Sequence, residues 1–199
     1  MNERGFYCVI TQDRLDDLRK FLLTLKAHND YPVIVAIAKD ATDAYRKKTE
    51  ISYLSPFDTT IYIDTDTLIM GNLNYMFELG ERGYFAIYRE KRVPTYNAGV
   101  FVLPKEVKKW LTNKWLPKYD DKMKRGIRTY YQWKDQDILN ELIKEMPLFV
   151  LPREYNCILQ DITPEEEAEI YDNVKIFHFL HNKEVDKNKY KSWNTWLKL

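Results

Sequence analysis

Thr60-Ile61-Tyr62-Ile63-Asp64-Thr65-Asp66 is a short β-rich run that stops on two carboxylates. Alternate residues of an extended segment point the same way, so Asp64 and Asp66 face one side just beyond the end of a buried strand. Upstream, Ser55-Pro56-Phe57-Asp58 reads as a turn, and Thr42 to Leu54 as a helix. Val33 to Ala38 is a continuous apolar run, the pattern of a strand buried on both faces. Leu15, Leu18, Phe21, Leu22 and Leu25 recur at helical spacing, which predicts an amphipathic helix from Asp13 to His28 with Asp13 as its N-cap. Phe6 to Ile10 is the first strand, and it runs into Thr11-Gln12-Asp13. Strand, helix, strand, helix, strand predicts right-handed βαβ units: an α/β fold with a mostly parallel sheet flanked by helices. Ligands of such sheets bind outside the carboxyl ends of the strands. Thr11-Gln12-Asp13, Lys39-Asp40 and Asp64-Thr65-Asp66 all fall at that edge.

The second half is less regular. Strands are expected at Tyr84 to Tyr88, Gly99 to Leu103, Leu148 to Leu151 and Val174 to Phe179. Helices are expected from Pro104 to Tyr119 and from Gln136 to Met146, with a polar loop over 120–131 between them. The chain has 199 residues, 45% of them apolar, with no internal repeat. That suits one domain, able to bury roughly 70% of the surface its unfolded chain exposes.

Charge is balanced, with 31 Lys and Arg against 30 Asp and Glu. Nucleic acid is therefore not the expected partner, because neutralising phosphates needs a basic excess. Cys8 and Cys157 lie in no metal-ligand spacing, so neither a disulfide framework nor structural zinc is expected. No apolar run approaches the ~18 residues that span a bilayer. Met1 to Thr11 does not read as a signal peptide, and the expected location is a reducing, cytoplasmic one. Aromatic residues make up 15% of the chain. They serve equally as core and as stacking surface for ring-shaped ligands.

Two carboxylates with open positions suit Mg²⁺ or Mn²⁺ that also holds substrate phosphates; the bland alternative is a solvated turn. An Asp-x-Asp after a strand also resembles the haloacid-dehalogenase-type phosphatases, with Asp64 as the nucleophile. The residue four after Asp64 is Leu68 rather than Thr or Val, and the motif follows the third strand, not the first.

A different resemblance covers most of the chain. Tyr62-Ile63-Asp64-Thr65-Asp66-Thr67-Leu68-Ile69-Met70-Gly71-Asn72-Leu73 is similar to the metal motif of glycogenin-like and lipooligosaccharide galactosyltransferase-like enzymes, glycosyltransferase family eight. Tyr96-Asn97-Ala98-Gly99-Val100-Phe101-Val102 resembles the family's FNAGV segment. Asp135-Gln136-Asp137-Ile138-Leu139-Asn140 resembles DQDILN, and Leu151-Pro152 with Tyr155-Asn156 resembles LP..YN. Phe177-His178-Phe179-Leu180 resembles the late HF.G motif.

The resemblance implies a GT-A fold in a single domain over 1–199. Within it, 1–90 is the nucleotide- and metal-binding half, 91–183 the donor and acceptor half, and 184–199 a C-terminal helix or tail. It implies a hexose moved from a nucleoside diphosphate sugar, UDP first, to a hydroxyl of a saccharide, lipid or protein acceptor, with retention of configuration. Asp64, Asp66 and His178 would hold the metal. An imidazole ligand favours Mn²⁺ over Mg²⁺. Thr11, Asp13 and Thr65 would bind the nucleoside, and Lys48, or its neighbour Lys47, the donor phosphate. Asn97 and Asp137 would bind sugar hydroxyls. Asp135 and Gln136 would be the catalytic pair beside the anomeric carbon, although Asp135 could equally cap a helix.

There are departures from the family pattern. His181 stands where the family has Gly, and Glu184-Val185 follow Lys183 where Pro-Trp is expected. Lys183 is therefore a weaker candidate for the diphosphate. The alternatives to a transferase are the phosphatase and a non-catalytic sugar-nucleotide-binding module. The tail from Lys187 to Leu199 mixes Lys with Tyr190, Trp193 and Trp196. A terminal helix packed on the domain is expected there, with docking on an anionic membrane surface as the alternative. Among the aromatics, Phe6, Phe21, Tyr62, Phe101 and Phe177 are assigned to the core. Tyr130, Tyr131, Trp133 and Tyr155 are assigned to stacking at the donor site.

Overall fold

A computed structural model of the protein describes residues 3–126, 135–180 and 186–199. In chain order the elements are β1 (Arg4–Thr11), α1 (Leu15–His28), β2 (Val33–Ala38), α2 (Ala41–Thr49), α3 (Ile51–Leu54), β3 (Thr59–Ile63), β4 (Thr67–Ile69), α4 (Asn74–Glu81) and β5 (Phe85–Arg89). There follow β6 (Tyr96–Leu103), α5 (Lys105–Thr112), α6 (Trp115–Lys124), α7 (Asp135–Leu142), β7 (Leu148–Val150), β8 (Cys157–Ile158), α8 (Pro164–Ile170), β9 (Ile176–His178) and α9 (Lys191–Leu197).

The main sheet has the order β2-β1-β3-β6-β5-β7. β1 pairs in parallel with β2 and β3, and β5 with β7. β6 runs antiparallel between β3 and β5. This is the expected mostly parallel sheet with one reversed strand at its centre. The alternation of side chains builds two cores. Phe6, Cys8, Ile61, Ile63, Val100 and Val102 pack on one face with Phe21 and Leu25 of α1 and Phe77 of α4. Tyr7, Val9, Tyr62, Phe101 and Leu103 pack on the other with Trp115 and Ile138. A one-residue slip of any of these strands would exchange the two sets, so the register is strongly specified. Burial pushes the Cys8 thiol up to about 12, as expected of an inert core cysteine.

Several expectations are corrected. Val33 to Ala38 is not buried on both faces. β2 is the edge of the sheet, its residues are mostly half-buried, and Ile37 is 57% exposed. Asp13 does not cap α1, because it lies in a 3₁₀ turn over Gln12–Arg14 and Arg14 holds the N-cap position. The helix expected over Thr42 to Leu54 breaks at Glu50 into α2 and α3. The one expected from Pro104 to Tyr119 breaks between α5 and α6. Asp120 is helical rather than part of a polar loop, and it pairs with Arg46 across to α2 at 3.2 Å.

A second sheet of order β4-β9-β8 was not expected. It pairs Thr67 with His178 and Ile158 with His178, and so carries His178 to the end of the metal motif. Its outer face is closed by Phe179, Tyr190 and Trp196. Trp196 of α9 is buried against Phe179, and Trp193 stacks on it at 5.0 Å, so the tail packs on the domain. The buried Glu167 accepts the first amides of α9, from Lys191 and Ser192. No described helix is long and apolar enough to cross a membrane.

Candidate active site

A cleft of about 1260 Å³ opens at the carboxyl ends of β1, β2 and β3. Thr11, Asp13, Lys48, Asp64, Thr65 and Asp66 line it from the first half of the chain, and Asn97, Asp135, Gln136 and His178 from the second. Asp137 is buried on α7 and does not line the cleft, because it follows Gln136 on a helix that turns its next residue away. Lys183, with Tyr130, Tyr131, Trp133 and His181, lies outside the described residues. Tyr155 packs on Tyr75 at 5.5 Å and lines a different cavity. Lys47 does not line the cleft, whereas Lys48 is buried in it.

Asp64 sits where β3 ends. Its amide donates to the carbonyl of Gly99 on β6, and its own carbonyl accepts from the Thr67 hydroxyl, so the chain turns tightly through Asp66 into β4. The Asp64 carboxylate accepts from the Tyr62 hydroxyl and lies 3.1 Å from Lys48 Nζ. Lys48 Nζ also reaches Asp135 Oδ2 at 3.5 Å and donates to the carbonyl of Ala98. Burial opposes a charge on Lys48, but Asp64 and Asp135 outweigh it and hold the ammonium above its ordinary value. Burial pushes Asp135 upward, against the pull of Lys48. Asp13, at the exposed rim, is held down by a hydrogen bond from Thr11.

Asp64, Asp66 and His178 bring their ligand atoms within 4.8 Å of one another. The tautomer of His178 follows from a chain of hydrogen bonds that starts at a backbone amide, which can only donate. The Gly99 amide must donate, so it fixes Asn97 Oδ1 as an acceptor at 3.0 Å. Asn97 Nδ2 then faces the carboxylate of Glu90 at 3.0 Å. Asn156 Nδ2 donates to the same Asn97 Oδ1 at 3.1 Å, which turns Asn156 Oδ1 toward His178 Nδ1 at 2.9 Å. Nδ1 therefore carries a proton, so the neutral ring offers its lone pair at Nε2. Nε2 is buried, has no hydrogen bond and stands 3.4 Å from Asp66 Oδ1. An imidazole nitrogen with two carboxylates suits a divalent metal. Gly99 permits this approach, because a Cβ there would overlap His178 Cε1 and stand 2.8 Å from Asp64 Oδ2.

Glu90 and Asn156 belong to the hydrogen-bond network of the site, and the sequence reading did not assign them. Glu90 accepts from both Asn97 and Gln136 Nε2, while Gln136 Oε1 accepts from the Ala98 amide. The Gln136 amide is thus held at both ends. Burial pushes Glu90 upward, and the bonds from Asn97 and Gln136 oppose that. Glu90 follows a strand that reads as core, so only its tertiary neighbours reveal it. Asn156 lay inside a quoted motif, but its role as the orienter of His178 is not a spacing signal.

No family model matches the chain. It is 32% identical over 118 residues to the lipopolysaccharide 1,2-glucosyltransferase of Escherichia coli K12, covering 51% of this chain and 34% of that one. The glycosyltransferase GlyE of Streptococcus pneumoniae matches in structure with a TM-score of 0.75 at 17% identity, over 100% of this chain and 60% of that one. The galactosyltransferase LgtC, solved with donor and acceptor sugar analogues, matches with a TM-score of 0.73 at 13% identity, over 98% and 94%. The chain thus spans about a third of the length of the curated relative. Its fold is that of the GT-A glycosyltransferases, as the resemblance of its motifs implied.

Proposed function

We propose that this chain is a metal-dependent glycosyltransferase that moves a hexose from a UDP-sugar to a hydroxyl of a saccharide acceptor, with retention of configuration. The observation that carries the reading is the oriented hydrogen-bond chain that leaves a bare His178 Nε2 facing Asp66, beside Asp64. Asp64, Asp66 and His178 hold the divalent ion, and the nitrogen ligand favours Mn²⁺. When bound, the ion supplies Lewis-acid stabilisation of the charge left on the departing diphosphate.

The chain's own residues do the rest. Thr11, Asp13 and Thr65 bind the nucleoside at the rim of β1 and β3. Lys48 keeps Asp64 and Asp135 together without mutual repulsion and adds a fixed positive charge beside the donor. Asn97 binds a sugar hydroxyl, and Lys183 is a candidate for the diphosphate. Asp137, being buried off the cleft, acts through the packing of α7. Asp135 and Gln136 face the anomeric carbon. Gln136 Oε1 spends one lone pair on the Ala98 amide and offers the second to the positive charge that develops there. The phosphatase reading is not favoured, since the Asp64 carboxylate is clasped by Lys48 and Tyr62 rather than presented as a free nucleophile.

The test is incubation with Mn²⁺ and labelled UDP-hexoses. Donor turnover, lost in Asp66→Ala, is expected. Release of phosphate from a generic phosphoester without UDP-sugar turnover would overturn the reading in favour of the hydrolase. Tight UDP binding with no turnover of any donor would overturn it in favour of a binding module.

A further inference from the structure

A second cavity, of about 400 Å³, lies away from the cleft. Tyr155, Arg153 and Glu154 form one wall, and Asn173 and Lys175 the other. Lys175 leads into β9, so the cavity sits at the opposite end of that three-residue strand from His178, a rise of about 10 Å. The walls are tied together where the Lys175 amide donates to the carbonyl of Glu154 at 2.7 Å, and the second wall is braced by the Val174 amide, which donates to the carbonyl of Ile170 at 3.2 Å. The cavity is therefore pre-formed, and a ligand would lose little free energy in ordering it.

Its chemistry is specific. Tyr155 supplies a ring, Asn173 an amide, Arg153 and Lys175 two cations and Glu154 a carboxylate, while Ile170 and Val174 are the apolar part of the lining. Such a lining fits a ligand with a ring face and polar groups around it. Two cations stand against one carboxylate, and neither Arg153 nor Lys175 forms an ion pair among the described residues. The ring surface continues outward from Tyr155 to Tyr75 at 5.5 Å, from Tyr75 to Phe149 at 6.4 Å, and on to Tyr84. Tyr75 is 37% exposed and Tyr84 39%.

We propose that this cavity is a second saccharide site, which takes a stretch of an acidic oligosaccharide on Tyr155, Arg153 and Lys175. That the oligosaccharide is the acceptor of the reaction rests on the transferase reading above. On this proposal Tyr155 stacks on sugar in the second cavity and not at the donor site, where its sequence context places it.

The experiment is saturation-transfer NMR on the full chain with trigalacturonic acid and, in parallel, maltotriose, each with and without excess UDP and Mg²⁺. Trigalacturonic acid is expected to bind with a Kd on the order of 1 mM, and about tenfold tighter than maltotriose. Tyr155→Ala and Lys175→Glu are each expected to weaken it about tenfold. Lys175 is partly exposed, so the second variant keeps the test valid should the first disturb packing. UDP should not displace the saccharide. Displacement by UDP, unchanged binding in both variants, equal binding of the two sugars, or no signal near ~10 mM would overturn the proposal. Variant-dependent saccharide binding by a chain that ignores UDP would uphold the site while the transferase reading failed.

Discussion

Lys48 and Lys108 are both buried, yet they sit in opposite environments. Lys48 meets two carboxylates, Asp64 and Asp135, and its ammonium is held above its ordinary value in spite of burial. Lys108 on α5 meets neutral oxygens: it donates to the carbonyls of Ser55 and Phe57 and to the Ser55 hydroxyl. Burial lowers it to about 8, with Asp58 pulling it up and Lys105 pushing it down. Carbonyl dipoles satisfy an ammonium's donors but do not repay its desolvation as full charges do. A lysine tied to carbonyls closes a turn, whereas one shared between carboxylates holds together an acidic site that would otherwise repel itself.

The largest effect should come from breaking the charged side. Lys48→Met leaves Asp64 and Asp135 facing each other and is expected to cost about 3 kcal/mol in denaturant unfolding. Adding Asp135→Asn to it should restore much of that stability. A double variant no more stable than the single one would mean that Lys48 stabilises by packing on Tyr62 instead, 4.8 Å from its ammonium.

Next in size is the neutral network beside it. Asn156→Leu removes the group that turns His178 Nδ1–H away from the metal position and should weaken Mn²⁺ binding, read by calorimetry, by about 10- to 100-fold. Unchanged affinity would show that Asp66 alone orients the ring.

The smallest effect is on the carbonyl side. Lys108→Met exchanges a desolvation cost for two unfilled carbonyls, and its stability at pH 7 should stay within about 1 kcal/mol of the parent. The pH dependence separates the two. With the folded pKa near 8 and the unfolded one at its ordinary 10.5, the unfolded chain binds more protons between these values. The parent should therefore gain stability relative to Lys108→Met as pH rises from 8 toward 10.5. Parallel unfolding midpoints for the two proteins at pH 7.5 and 9.5 would sink that assignment.

Asp64 and Asp66 were legible as a pair because their signal is local. A pleat of period two aims Asp64 and Asp66 the same way whatever surrounds them. The apolar runs of β1, β3 and β6 are local signals too, but their division between two cores appears only in the packed sheet. Lys48 could be separated from Lys47 only by burial, since neighbours on a helix differ in facing and not in type. β2 misled because an apolar strand reads alike at a sheet's centre and at its edge. Strand order, which leaves Ile37 exposed, is not written in any single strand. β9 was expected within Val174 to Phe179, but β8 is two residues long, too short for a periodic signal, and the pairing of β9 with β4 and β8 is written in none of the three.

By itself, then, the sequence determined the α/β class, the carboxylate pair at a strand end and the order of motifs along the chain, because each depends on near neighbours and backbone geometry. Tertiary structure alone decided which atoms meet. The antiparallel pairing of β4 with β9 brings His178 beside Asp66, the Asn97–Asn156 contact fixes its tautomer, and the tie between Lys175 and Glu154 forms a second cavity around Tyr155. Those outcomes depend on hydrogen bonds between residues distant in sequence, and their geometry exists only once the two sheets have packed.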